Sequence, residues 1–252
     1  MNYEIEQISK KMGASMVGFA KLDGLYTKVV VDEPISEDSV TEVFDIPQYP
    51  IGISIGLAYP KDIIRNISEA PTLEYYDAYH ELNKQLDKMA IKCADYIKGL
   101  GFHAIAQTTT DIKQFGVFRT IMPHKTVAVN AGVGWIGKSA LFVTEPYGSA
   151  IRLTSVLTDA PLITNEPCVQ SKCGDCILCT NACPGNAISG RQWRPDIDRD
   201  EFFDAMACRR KAREISARSL DKKITLCGKC IEVCPYTRRY TKKSETGSVN
   251  IN

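Results

Sequence analysis

The sequence has 252 residues, 44% of them hydrophobic, and a formal net charge of +1 at pH 7. That is enough apolar material for one large domain, or for one domain plus a module, and the near-balance of charge gives no compositional argument for a nucleic-acid binder. The balance hides an asymmetry, because Arg191 to Asn252 carries 15 Lys/Arg against 9 Asp/Glu while the remainder carries 16 against 21.

The N-terminus, Met-Asn-Tyr-Glu-Ile-Glu, is acidic and lacks the apolar region of a signal peptide. No apolar run approaches membrane-spanning length; the longest, Ile51 to Tyr59, is strand-sized. Residues 2–13 read as a short helix ending at Gly13, Met16 to Ala20 as a buried strand, and Ile51 to Tyr59 as a second strand stopped by Pro60. The polar, acidic stretch between these strands reads as a surface loop. From about Leu73 to Leu100, Tyr79, Leu82, Leu86, Met89, Cys93, Ile97 and Leu100 recur at steps of three and four, the mark of an amphipathic helix ended by Gly99 and Gly101. Cys93 on that stripe reads as a core residue. Phe102 to Gln107 reads as a strand, His124 to Ala131 as a short helix, and Ala140–Thr144 and Ile151–Thr158 as strands. Pro161 to Pro167 connects to the cysteine-rich part, where Arg199 to Ser219 reads as a charged helix carrying Cys208. Thr237 to Asn252 is polar and is expected to fray.

Eight of the ten cysteines fall in two blocks. The first, Cys173-Gly-Asp-Cys176-Ile-Leu-Cys179-Thr-Asn-Ala-Cys183-Pro184, is the C-x2-C-x2-C-x3-C-P run of bacterial ferredoxins. The second is Cys208 followed by Cys227-Gly-Lys-Cys230-Ile-Glu-Val-Cys234-Pro235. Three thiolates two residues apart turn inward only if the backbone wraps a cubane, and the fourth cysteine of such a run ligates the other cluster. The expected sets are therefore Cys173, Cys176, Cys179 and Cys234 for one 4Fe–4S cluster, and Cys208, Cys227, Cys230 and Cys183 for the other. Zinc usually takes two separated Cys-x2-Cys knuckles, and a disulfide framework belongs to small secreted domains, so both alternatives fit poorly. Cys168 reads as a bystander. Free thiols and oxygen-sensitive clusters point to a reducing cytoplasm. The basic C-terminal third suits an acidic electron donor or a polyanion, and it equally offsets the negative charge of thiolate-ligated clusters.

Ala131-Gly132-Val133-Gly134-Trp135-Ile136-Gly137-Lys138 matches G-x-G-x-x-G, but the following Ala-Leu-Phe-Val-Thr-Glu-Pro reads as strand and turn, with Pro146 barring the helix a dinucleotide site needs. A tight glycine turn is the plainer reading. His124 to Lys138, with Pro146-Tyr147-Gly148 and Arg152 to Asp159, resembles the epoxyqueuosine reductases and, more loosely, the reductive dehalogenases. Both cysteine blocks follow at the distance that family shows, and Met16 to Ala20 and the Tyr79-His80 pair look similar too.

The resemblance implies an α+β protein. It would have a mixed α/β sheet domain (nitroreductase-like) over 1–162, a ferredoxin-like double-cluster module over 163–240 and a tail over 241–252. It implies a cobalamin lined by Gly132, Gly134, Trp135, Gly137 and Lys138, one cluster passing electrons to cobalt and the other accepting them from a donor such as ferredoxin or flavodoxin. Two features depart from the pattern. The family's catalytic aspartate comes from an Asp-Thr-x-Pro-type segment, and the matching Phe118-Arg119-Thr120-Ile121 has no carboxylate; Asp111 has no supporting spacing. Those enzymes also usually continue into a helical-repeat domain that helps hold tRNA, whereas this sequence stops just after its second block. As proton donors, His124 is expected to titrate near neutrality, and Tyr79 and Tyr147 are the further candidates; His80 and His103 have no better claim. The expected function is a cytoplasmic iron–sulfur reductase with bound cobalamin acting on an unidentified small molecule or corrinoid protein. The alternative is a non-catalytic electron carrier that reduces a separate corrinoid partner. Reduction of epoxyqueuosine in tRNA ranks lower, and a nucleic-acid binder with structural clusters ranks last.

Overall fold

The computed structural model describes residues 1–26, 49–109, 119–120 and 122–242. Its centre is a four-stranded antiparallel sheet in the order β1-β2-β6-β3, formed by β1 (Met16–Lys21), β2 (Ile51–Ala58), β6 (Ile151–Thr158) and the short edge strand β3 (Ala104–Gln107). All pairings are antiparallel, which makes the protein α+β rather than a parallel α/β sheet. The register sets Ile53 opposite Val156 and Ile55 opposite Thr154. Alternate residues therefore reach the two faces, and both faces are covered, so β2 and β6 are buried almost throughout.

On one face lies α3 (Leu73–Gly99), started by Thr72, whose side chain accepts the Tyr75 N–H. Its stripe of Leu82, Leu86, Met89, Ala90, Cys93 and Ile97 meets Ile53, Ile55 and Val156. Cys93 is fully buried, with its Sγ 3.4 Å from Ser9 Oγ on α1 (Asn2–Lys11), as the periodicity implied. On the other face α4 (His124–Asn130) packs Val127 and Ala131 on Leu157 and Ala20. The expected strand over Ala140–Thr144 contracts to β5 (Phe142–Val143), paired with β4 (Trp135–Ile136) in a small hairpin.

Three expectations are corrected. The helix carrying Cys208 is α6 (Ala205–Leu220); it is preceded by a separate 3-10 turn over Arg199–Glu201, with Asp204 capping the Ala207 N–H and ending the turn's run into the helix. A short helix, α2 (Lys61–Arg65), follows Pro60 where only a strand stop was anticipated. Thr237 does not begin a frayed tail: Pro235–Thr241 is a helix, α8, with Thr237 fully buried. Proline at its first turn costs no hydrogen bond, and the helix is held by partners distant in sequence. Thr237 Oγ1 accepts the Ser149 N–H, and the Tyr240 hydroxyl donates to the Tyr59 carbonyl at 2.8 Å. Most of the acidic stretch expected as a loop between the first two strands, and the polar end beyond residue 242, lie outside the described residues. No helix among the described residues is long and apolar enough to cross a membrane.

The cysteine-bearing part shares its apolar cores with the sheet. Ile231 joins the α3 core, and Trp193, Ile197 and Phe202 pack with Ala128, Val129, Phe142, Ile151 and Leu153. These shared cores fix the cysteine loops relative to α4 and the hairpin.

Candidate metal centre and adjoining pocket

All ten cysteines are free, and the eight in the two blocks fall into two interleaved groups. Burial pushes the Cys179 thiol up to about 11, and the neighbouring Cys173, Cys176 and Cys234 push in the same direction. Burial likewise pushes Cys208 up to about 11, with Cys183 and Cys227 adding to it. Cys230 is driven well above its ordinary range by burial, then by Cys208, Cys227, Cys179 and Cys183. Cys234 is thus a neighbour of Cys179, and Cys183 a neighbour of Cys208. Cys230, facing Cys179, lies where the two groups adjoin.

Cys179, Cys208, Cys227 and Cys230, whose burial disfavours a bare thiolate, are stabilised as anions when bound to cationic iron. Eight thiols in two ferredoxin-type runs are a donor set that fits two cubanes. The Cys227–Cys230 turn uses Gly228 at φ +81°, where a Cβ would meet Ile67 Cδ1 at 2.8 Å and Tyr75 Cε1 at 3.1 Å. Positive φ and the close approach both call for glycine there, and they seat the second group on α2 and α3.

The glycine segment is a helix stop followed by a hairpin. Gly132, at φ +68°, donates to the Val129 carbonyl while Val133 donates to Ala128, the paired bonds of a Schellman ending for α4. A Cβ on Gly132 would strike the Glu166 carbonyl, and one on Gly134 the Val143 carbonyl. Trp135 is 1% exposed, with its ring edge-on to Tyr236 at 4.9 Å. Gly134 and Trp135 are buried among protein atoms, whereas Gly132 is exposed. Gly137 and Lys138 do face a site, but it is the first cysteine group. With Ser139, Val143 and Tyr236 they line the hollow that holds Cys173, Cys176, Cys179 and Cys234, which Cys230 also reaches. A Cβ on Gly137 would lie 3.5 Å from Cys173 Sγ.

Across the hairpin, Ile136 and Ala140 form part of a second cavity of about 180 Å³, closed by Lys125 and Thr126 of α4 and by Trp193, Arg199 and Phe202. Lys125 donates to the Ala140 carbonyl at 2.7 Å, and burial, then Arg199, lowers its pKa to about 8. At the mouth stands Arg119, which donates to both oxygens of Asp198, at 2.9 and 2.6 Å, and to Asp200 at 2.9 Å. Its guanidinium holds the Asp198 carboxyl below the usual range. The position where the resemblance would have a catalytic carboxylate thus carries a cation already satisfied by two carboxylates. Asp111, Phe118 and Ile121 lie outside the described residues.

The three proton-donor candidates are not brought together equally. His124 Nδ1 is 2.8 Å from Ser155 Oγ, which also accepts from Gln107 Nε2 at 2.7 Å, while His124 Nε2 is sealed from solvent without a partner. Burial, then the Arg152 charge, lowers the His124 pKa to about 3, so it is neutral at pH 7 and does not titrate near neutrality as expected. Tyr79 lies on α3 beneath the Arg152 guanidinium, 4.2 Å from its ring centre, and Arg152 Nε donates to Asn83 Oδ1 at 3.0 Å. Tyr147 lies elsewhere, donating to the Ser15 carbonyl at 3.3 Å and packed edge-on to Tyr240. His103 forms an exposed pair with Asp159, and His80 stacks on Tyr76 at the surface. Arg152 and Ser139 escaped the sequence reading because each gains its meaning from a neighbour on another element.

Residues 172–237 match the 4Fe-4S double cluster binding domain family. Three curated epoxyqueuosine reductases illustrate the wider similarity. The Cyclobacterium marinum enzyme is 26% identical over 208 residues, 71% of this chain and 61% of that enzyme. The Bacillus subtilis enzyme is 25% identical over 207 residues, 73% of this chain and 50% of the enzyme. The Listeria monocytogenes enzyme is 34% identical over 119 residues, 44% of this chain and 29% of the enzyme. The aligned stretches span less than two thirds of each relative. Among solved structures, a reductive dehalogenase described as suggesting a mechanism for B12-dependent dehalogenation has a TM-score of 0.67 at 18% identity, covering 93% of this chain and 31% of its own. An epoxyqueuosine reductase bound to a modified tRNA stem loop has a TM-score of 0.56 at 21% identity, covering 94% and 65%. At these identities the likeness is one of fold.

Proposed function

This chain belongs to an epoxyqueuosine reductase-like family, and from that premise we propose that it is an iron–sulfur reductase whose two 4Fe–4S clusters relay electrons toward the cavity behind the Gly137–Ala140 turn. The observation that carries the reading is the placement of the first cysteine group directly against Gly137, Lys138 and Ser139, with the cavity on the opposite side of the same hairpin. The Cys183, Cys208, Cys227 and Cys230 set would hold the cluster that takes electrons from a donor, and the Cys173, Cys176, Cys179 and Cys234 set the cluster beside the turn, with Cys230 and Cys179 where the two sets adjoin.

A corrinoid is the acceptor we propose, by analogy with the B12-dependent dehalogenase. A cavity of about 180 Å³ does not enclose a whole corrinoid, so Ile136, Ala140, Thr126 and Lys125 would touch only part of such a group. When bound, such a group supplies a strongly reducing and nucleophilic metal centre, and the protein supplies position, dryness and protons. Lys125 holds a proton within reach of neutral pH and can balance negative charge in the cavity. Tyr79, with Arg152 across its ring, lies on the α3 face of the sheet and does not line this cavity, and neutral His124 can donate only a hydrogen bond. The substrate is a small molecule or a group presented by a partner. A tRNA substrate rests on the relatives alone.

A second reading, an electron carrier that reduces a separate corrinoid protein, is favoured by Arg119 standing satisfied where the family places a carboxylate. Anaerobic metal analysis should give about eight irons per chain. Cobalamin added to that protein should change its cobalt spectrum on the reductase reading, and the change should be lost on widening Ala140 to Trp. No spectral change at saturating cobalamin leaves the carrier.

A further inference from the structure

The relay just described needs a point of entry, and the two clusters differ in what covers them. The first is roofed by the Gly137–Ser139 turn and Tyr236. The second lies under the Cys183–Asn186 loop and α6, where Pro184, Gly185, Ala207, Arg210 and Lys211 border a shallow depression of about 240 Å³ open to solvent. The cover there is thin. Gly185 sits so close to the helix that a Cβ would meet Lys211 Cβ at 3.0 Å and the Ala207 carbonyl at 3.1 Å. Cys183, which accepts the Ala187 N–H at 3.3 Å, and Cys208, the residue after Ala207, are ligands of the cluster beneath.

The surface around this depression is strongly cationic. Between Arg209 and Lys223 the sequence carries seven Lys/Arg and two acids, Glu214 and Asp221. Glu214 is engaged by Lys211 at 3.1 Å and Arg218 at 2.8 Å. Arg210, Arg218, Lys222 and Lys223 are exposed, and Met206, 42% exposed, adds an apolar contact at the rim. A small, polar patch with a net positive charge suits transient electron-transfer encounters, because long-range attraction steers the partner and the small interface lets it leave.

We propose that this face of α6, with the Cys183–Asn186 loop, docks an acidic, low-potential electron-transfer flavoprotein that reduces the second cluster. The inference rests on the two-cluster reading above. In each encounter a reduced flavin gives up one electron and becomes the semiquinone, and one cluster gains that electron; no bond is made or broken. A nucleic acid would also be drawn to these cations, but the patch adjoins the cluster remote from the Gly137–Ser139 turn, where reduction of a substrate would occur.

The test uses anaerobic, cluster-loaded protein and reduced flavodoxin in a stopped-flow instrument, following cluster bleaching. The wild-type rate should fall steeply as the Debye length shrinks from about 30 Å to about 3 Å with added salt. The Arg210→Glu/Lys222→Glu double variant should be at least tenfold slower at low salt, as expected for lost electrostatic steering, and the two should converge at high salt. Lys223→Glu, a milder change on the same face, should show a smaller slowing in the same direction. Dithionite should bleach all three proteins to the same extent. Equal rates with flavodoxin across the salt range would overturn the docking surface while dithionite bleaching keeps the clusters. Failure of dithionite to bleach the wild type would instead remove the underlying relay. If the double variant keeps its flavodoxin rate but loses salt-sensitive binding of a tRNA stem loop, the face is a nucleic-acid surface and the proposal fails.

Discussion

Lys138 is the sharpest electrostatic prediction of the site. It is 6% exposed and lines the hollow of the Cys173, Cys176, Cys179 and Cys234 cluster. A 4Fe–4S centre with four thiolates becomes more negative on reduction, so a nearby ammonium stabilises the reduced form and raises the potential. Taking a separation of roughly 8 Å and an effective dielectric of about 20, one unit charge is worth about 2 kcal/mol. For a one-electron couple this corresponds to about 90 mV. Lys138→Gln should therefore lower the potential of that cluster by on the order of 50–100 mV, the lower figure allowing for solvent relaxation. Lys138→Arg should restore most of it. Anaerobic redox titration followed by electron paramagnetic resonance separates the two centres. The cluster ligated by Cys208, Cys227 and Cys230, farther from Lys138, should move less, by about half if it lies twice as far. A change below about 20 mV, or equal changes in both clusters, would refute the assignment of Lys138 to the first cluster's surroundings, because Coulomb interaction falls with distance.

The interleaved ligation has its own signature. Cys234→Ser should disturb the cluster of the first block and Cys183→Ser that of the second, each seen in the resonance spectrum of the altered centre; loss confined to the block containing the substituted residue would contradict the exchange. His124 has a folded pKa of about 3, depressed by burial and Arg152, so the unfolded chain binds its proton first as pH falls below about 6.5. Its contribution is fully present above that pH and is lost on acidification. Between pH 6.5 and 5 the wild type should lose about 2 kcal/mol more stability than His124→Asn, measured by anaerobic urea unfolding; parallel pH profiles would count against a neutral, buried ring. Gly148 has φ +58°, and a Cβ there would collide with the Thr237 backbone, with Thr237 Cα at 2.6 Å. Gly148→Ala should cost about 2–5 kcal/mol from left-handed strain and overpacking, read as a melting temperature lower by roughly 10 °C. An unchanged melting curve would mean that α8 does not clamp the Tyr147–Ser149 turn.

Much of the fold was legible where the pattern was local and repetitive. The α3 stripe announced itself over 27 residues, and the apolar runs of β2 and β6 stood out because both faces are buried. Short elements stabilised by distant contacts were not legible. The helix α8 has 7 residues and a polar composition, and it exists because Thr237 and Tyr240 bond to Ser149 and Tyr59. The glycine segment was legible as a tight turn, but not its neighbours. Its glycines mark close approaches, but sequence does not say whether the near neighbour is a ligand or the protein's own backbone, and for Gly132 and Gly134 it is the Glu166 and Val143 carbonyls.

The two-cluster pattern was legible in the sequence alone, since wrapping a cubane demands three thiolates at fixed short spacing and a fourth from outside the loop. What neighbours those clusters belonged to tertiary structure. Lys138 beside the first cluster, Gly185 thinning the cover of the second, and Arg119 captured by Asp198 and Asp200 all depend on packing between segments tens of residues apart. Ligand spacing is a property of a few adjacent peptide units, whereas potential, access and charge are properties of whatever the folded chain brings alongside.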